Sequence, residues 1–102
     1  MFGAGIGLNL FDTHCHLDLD VYDGDRDAVF ARARAAGVKC FLNPAFDMAS
    51  SARAVTLAAL REDTWAEVGI HPNAAGDLDD AGLESLRALA AQPRVVAIGE
   101  IG

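Results

Sequence analysis

Leu8-Asn9-Leu10-Phe11-Asp12-Thr13-His14-Cys15-His16 is a short apolar run that breaks off at two histidines separated by one residue. Leu8 to Thr13 reads as a buried strand, because a parallel strand covered on both faces needs apolar residues on both sides and not strict alternation. The polar residues that follow mark its carboxyl end. The pattern recurs at Val38 to Asn43, Thr64 to Ile70 and Val95 to Glu100. Three helical patterns lie between these runs. Val29, Phe30, Ala33 and Ala36 share a face, with Asp25 as the cap before them and Gly37 as the stop behind. Ala52, Val55, Ala58 and Ala59 follow the cap candidates Ser50 and Ser51, and Leu83, Leu86, Leu89 and Ala90 precede Pro93.

The rhythm has a measurable period. Phe11 to Phe41 is 30 residues, Phe41 to Val68 is 27 and Val68 to Ile98 is 30. Eight such βα units would need roughly 230 residues, close to the ~250 typical of a (β/α)8 barrel. The fold class is therefore α/β, and residues 8–102 are expected to form part of one domain with four strands and three helices. Four parallel strands also suit a small open doubly wound sheet, and the rhythm does not separate the two. Gly3, Gly5 and Gly7 come before a strand, where a dinucleotide-binding turn is not found, so residues 1–7 read as a flexible leader.

Composition narrows the function classes. Fifteen acidic residues against eight basic ones give a net charge of −7, which argues against a wide basic surface for gripping nucleic acid. A chain of this charge that acts on DNA needs positive charge from elsewhere, and divalent cations can supply it locally. The apolar runs are broken long before the roughly 18 residues of a membrane span, so no membrane partner is expected. The start lacks the basic and apolar regions of a secretory signal. The chain therefore reads as cytoplasmic, and Cys15 and Cys40, which are not in a CxxC arrangement, read as two reduced thiols.

In either architecture an active site lies at the carboxyl ends of the parallel strands. All three histidines and one glutamate fall there: Asp12 to Asp18 after the first run, His71 in Gly69-Ile70-His71-Pro72-Asn73 after the third, and Glu100 in Gly99-Glu100-Ile101-Gly102 after the fourth. A spacing of two in extended backbone sends His14 and His16 to the same face, close enough to chelate one ion. Glu100 stands where a carboxylate can bridge two hard cations. His71 can ligate a metal, donate to a phosphate oxygen or cap its loop, and the phosphate role is favoured. Asp12 is at odd spacing from His14 and suits a supporting role, Asp18 is open between ligand and support, and Cys15 points to the opposite face. Asp77, Asp79 and Asp80 precede a helical pattern and read as capping residues.

Taken together, Asp12-Thr13-His14-Cys15-His16-Leu17-Asp18, Gly69-Ile70-His71-Pro72 and Ala97-Ile98-Gly99-Glu100-Ile101-Gly102 resemble the TatD family of metal-dependent deoxyribonucleases, from Phe11 onward and in the same order. The resemblance implies a (β/α)8 TIM barrel of which this chain is about half, two divalent metal ions (Mg, Mn or Zn), and hydrolysis of DNA phosphodiesters by a metal-activated water. It matches His14 and His16 to the family's first metal pincer, Glu100 to its bridging carboxylate and His71 to a histidine near the scissile phosphate, so Glu100 and His71 are the expected catalytic residues. Asn73 departs from the pattern, standing where a second histidine is common. The family's later strands bring two more histidines and an aspartate, which do not follow here.

The 102-residue chain alone is accordingly expected to be inactive. Two other readings stay open. An amidohydrolase-type enzyme acting on C–N bonds would begin with the same HxH pair. A non-catalytic, truncated metal-binding fragment would self-associate, as a homodimer or aggregate, through unpaired sheet edges.

Overall fold

The computed structural model describes residues 7–101. The leader expected over residues 1–7 lies outside the described residues except for Gly7. Four strands, β1 (Leu10–Asp12), β2 (Val38–Pro44), β3 (Thr64–Val68) and β4 (Val95–Ile98), alternate with three helices, α1 (Arg26–Ala35), α2 (Met48–Leu60) and α3 (Asp80–Ala90). Short 3-10 helices, Asp20–Tyr22 and Pro72–Asp77, interrupt the loops after β1 and β3.

The strands are parallel and their order in the sheet is β1-β2-β3-β4. That order separates the two architectures left open by the sequence. A doubly wound sheet reverses direction at a switch point, whereas successive right-handed crossovers without reversal lay every helix on one face and curl the sheet toward a barrel. Burial along β3 shows both faces. Thr64, Ala66 and Val68 are fully buried, while Trp65 and Glu67 between them are only half-buried. Ala66 packs on Ala54 and Ala58 of α2, so the buried side is the helical side. On the other side the rings of Phe11 and Trp65 approach to 5.9 Å across the intervening β2, as they would inside a concave surface. The chain thus has the architecture of about half a (β/α)8 barrel, with its lumen side open.

The core sits between the sheet and the first two helices. Phe30 of α1 meets Phe41 of β2 edge to face at 4.7 Å, with Leu17 closing the cluster above them. Such a pair contributes roughly 0.5–1.5 kcal/mol beyond its buried area. Gly37 ends α1 as expected: its φ is +111°, and a Cβ there would collide with the Leu8 side chain.

Several boundaries differ from the sequence reading. β1 stops at Asp12, β3 at Val68 and β4 at Ile98, each one or two residues short of the run read from the sequence. The cap of α2 is Asp47 and not Ser50 or Ser51. Asp47 Oδ1 accepts from the Ser50 amide at 2.7 Å and Ser50 Oγ accepts from the Asp47 amide at 3.0 Å, a reciprocal capping box that starts the helix earlier. The buried face of α2 runs through Ser50, Ser51, Ala54 and Ala58, and Ala52 and Ala59 face solvent. In a helix so rich in alanine, apolar periodicity points in several directions at once.

Candidate metal centre and its cleft

The loop after β1 begins with a turn made by its own acid. Asp12 Oδ1 accepts a hydrogen bond from the His14 amide at 3.1 Å, which supports the loop. His14 and His16 therefore lie just beyond the strand and not within it. Alternation nevertheless survives, because the Cys15 amide still donates to the Leu42 carbonyl of β2 at 3.1 Å. Cys15 turns away from the histidines, its Sγ 3.4 Å from the Leu42 carbonyl oxygen, and burial pushes its thiol pKa up to about 12, with Asp12 nearby adding to the rise. The imidazoles of His14 and His16 meet with Nε2 atoms 3.2 Å apart and ring planes at 86°.

Glu100 joins them from the other edge of the sheet. The Gly99 amide donates to Val68 at 3.0 Å and prolongs the β3–β4 ladder, and the Glu100 amide then donates to the Ala45 carbonyl at 2.6 Å, carrying the chain across the end of β3. This crossing runs over Gly69, where a Cβ would lie 2.7 Å from the Gly99 oxygen and 2.8 Å from its carbonyl carbon. Ser51 Oγ holds Gly69 from below, accepting from its amide at 3.1 Å and donating to its carbonyl at 3.3 Å. Glu100 Oε2 ends 3.6 Å from His16 Nε2.

The donor atoms of His14, His16 and Glu100 all lie within 4.8 Å of one another. Ligands held ~2.0–2.1 Å from a tetrahedral ion stand roughly 3.3 Å apart, so the 3.2 and 3.6 Å edges are of the right size. Two imidazoles and a carboxylate also make a donor set that suits Zn or Mn. The residues present fit a divalent cation.

His71 belongs to the same cleft but not to the three-donor cluster. Its amide donates to the Phe46 carbonyl at 2.8 Å, and its Nδ1 accepts from the Asn73 amide at 3.1 Å, capping the 3-10 helix that follows. That contact fixes the tautomer of the neutral ring, leaving the proton on Nε2 as a donor. His16, Leu19, Phe46, Asp47, His71, Asn73, Ala74 and Glu100 line an open cleft of about 450 Å³.

Other residues hold the loop in place. Asn43, fully buried at the end of β2, accepts the Leu17 amide at 2.8 Å through Oδ1. Sequence reading gave Asn43 and Gly69 no role of their own and read Ser51 only as a cap; for Asn43 and Gly69 the available signal was a polar residue or glycine at the end of an otherwise apolar run. Asp18 is buried and neither of its carboxylate oxygens has a hydrogen-bond partner, nor does the buried His16 Nδ1. Burial raises the Asp18 pKa, opposed by Arg53, whose Nε is 3.8 Å away. Asp18 is thus not brought into the donor cluster. Asp79 caps α3, its Oδ1 accepting the Gly82 amide at 2.7 Å, and Asp80 lies in the first turn, both as expected; Asp77 closes the preceding 3-10 helix.

The sequence pattern of the family described as "TatD related DNase" matches residues 11–102. The chain is 41% identical over 93 residues to the 3'-5' ssDNA/RNA exonuclease TatD of Cronobacter turicensis, covering 91% of this chain and 35% of that protein. It is 41% identical over 93 residues to the metal-dependent hydrolase YjjV of Escherichia coli K12, covering 89% and 36%. The crystal structure of YjjV, a TatD homolog from Escherichia coli K12, superposes with a TM-score of 0.81 at 37% identity, covering 91% of this chain and 37% of that one. The chain spans little more than a third of the length of these relatives.

Proposed function

The chain belongs to the TatD related DNase family, and from that premise we propose that it is the N-terminal, metal-binding part of a hydrolase that cleaves DNA phosphodiester bonds with a water activated by two divalent cations. The single observation that supports it most is the meeting of His14, His16 and Glu100 donor atoms within 4.8 Å at the carboxyl ends of the strands. In this reading His14, His16 and Glu100 would hold metal, with Glu100 the carboxylate that would serve both ions. When bound, Mg, Mn or Zn supplies a lowered pKa for the attacking water and neutralises charge on the phosphate. His71 donates from Nε2 to a phosphate oxygen, which its Nδ1 contact with Asn73 favours.

Residues 8–102 form one continuous part of a barrel domain in this proposal, and the 102-residue chain alone is inactive because His14, His16 and Glu100 leave an ion's coordination open. Its two free cysteines suit a cytoplasmic setting. Isolated, the chain self-associates through its sheet edges. Hydrolysis of C–N bonds remains the weaker reading, since it draws on the HxH pair alone.

Titration calorimetry with Zn and Mn on the 102-residue chain tests the metal site. Stoichiometric binding that disappears in a His14→Ala, His16→Ala double variant is the expected result. Binding that survives the double substitution would show that the cations sit elsewhere and would sink the assignment. On a chain extended to the length of its relatives, the same double variant is expected to lose nuclease activity.

A further inference from the structure

For a site proposed to hold a polyanion, the candidate cleft offers His71 as its one proposed phosphate donor and little positive charge of its own. Among its lining residues there is no lysine or arginine, and two, Asp47 and Glu100, are acidic. Phe46 stands out in this lining. It belongs to neither buried apolar cluster of the fold, yet its ring lies 6.0 Å from that of His16, at 69°, and it is only half-buried. Its backbone is fixed on both sides: the amide donates to Ser50 Oγ at 2.9 Å, and the carbonyl accepts from the His71 amide at 2.8 Å. With its backbone held in this way, Phe46 lines the cleft with its ring beside one proposed metal ligand, His16, and its carbonyl bonded to the amide of one proposed phosphate donor, His71. At about 450 Å³ the cleft is within the roughly 300–1,000 Å³ of small-molecule sites.

From this juxtaposition we propose that Phe46 is a stacking platform for a nucleobase, so that the cleft grips single-stranded nucleic acid by a base as well as by its phosphate. The proposal rests on the nuclease reading of the same cleft. Stacking suits an acidic protein because it needs no positive side chain and is tolerant of sequence, every base having a π face. It would add on the order of tenfold to a hundredfold to affinity.

The test compares dAMP with deoxyribose 5-phosphate, which shares the phosphate but lacks the base, titrated into the 102-residue chain with and without Zn and followed by NMR. The wild type is expected to bind dAMP at least tenfold more tightly. Phe46→Ala and Phe46→Leu, the latter keeping bulk against His16, should both erase that preference while leaving Zn binding intact. Phe46→Trp should keep it. Equal affinities in the wild type, a preference that survives both substitutions, or no dAMP binding at all would overturn the proposal. If the wild type fails to bind Zn, the metal assignment falls on its own, and the Zn-free titrations still decide whether Phe46 stacks a base.

Discussion

Glu100 reaches the histidines by crossing the end of β3, and the space for that crossing is the missing side chain of Gly69. A methyl group there would have to displace backbone atoms of Gly99, which cannot move aside as a flexible side chain can. Gly69→Ala is therefore expected to cost about 1–3 kcal/mol of stability, as overpacked sites do, and to weaken Zn binding at least tenfold by shifting Glu100. Urea denaturation and calorimetry check the two effects separately; an unaltered Zn affinity would mean that Glu100 does not depend on this crossing. The proposed ligands themselves were legible in the sequence, because a histidine or glutamate directly after an apolar run stands at a strand's carboxyl end. Gly69, Ser51 and Asn43 were not, since their roles are defined by contacts with segments far away in the chain. Ser51 shows the difficulty well: as a serine near a helix start it reads as a cap, yet its hydroxyl is spent on Gly69.

Between α2 and β3, Asp63 ties three elements together. Its carboxylate accepts from Arg61 at the end of α2, with both contacts at 3.1 Å, from Thr64 Oγ1 at 2.9 Å and from Arg34 of α1 at 2.9 Å. Burial alone would raise its pKa, but the hydrogen bonds from Arg61, Thr64 and Arg34 and the charge of Arg61 outweigh it and hold the carboxyl below the usual 3.8. A depressed folded-state pKa contributes stability that is present above 3.8 and lost as pH falls through the folded value. Asp63→Asn should thus destabilise the fold by about 1–2 kcal/mol at pH 7, discounted for the partly exposed Arg34, and the gap from wild type should close in acid. Denaturation curves at neutral pH and well below the usual carboxylate pKa test this; a gap that is independent of pH would deny the carboxylate its role. At this scale the sequence carried the number, type and order of strands and helices. It carried less about their ends, where the chain leaves the regular ladder after Asp12, Val68 and Gly99 for reasons set by the site, and least about which face of alanine-rich α2 is buried.

For the whole molecule, the periods of 27 to 30 residues left a barrel segment and a doubly wound sheet equally open, because both are built from the same βα unit and differ only in which strand lies beside which. The order β1-β2-β3-β4 resolves this and has a physical consequence. The helices cover one face, while the other face and both edges remain open, with Leu10 at 49%, Phe11 at 51%, Val96 at 58% and Ile98 at 51% exposure on the two edge strands. Large apolar side chains on unpaired parallel edges are a template for further pairing. In a closed eight-stranded barrel the last strand pairs with the first, so β4 of one copy against β1 of another would join two four-stranded halves in the same sense, and a twofold repeat would close the ring. The isolated 102-residue chain is therefore expected to sediment as a concentration-dependent dimer or larger species, and Val96→Lys, which places a charge on the β4 edge, should move it toward monomer without changing its helical circular dichroism. A wild-type chain that remains a cooperative, folded monomer at every concentration would exclude edge pairing, since the exposed strands would then be stable without a partner.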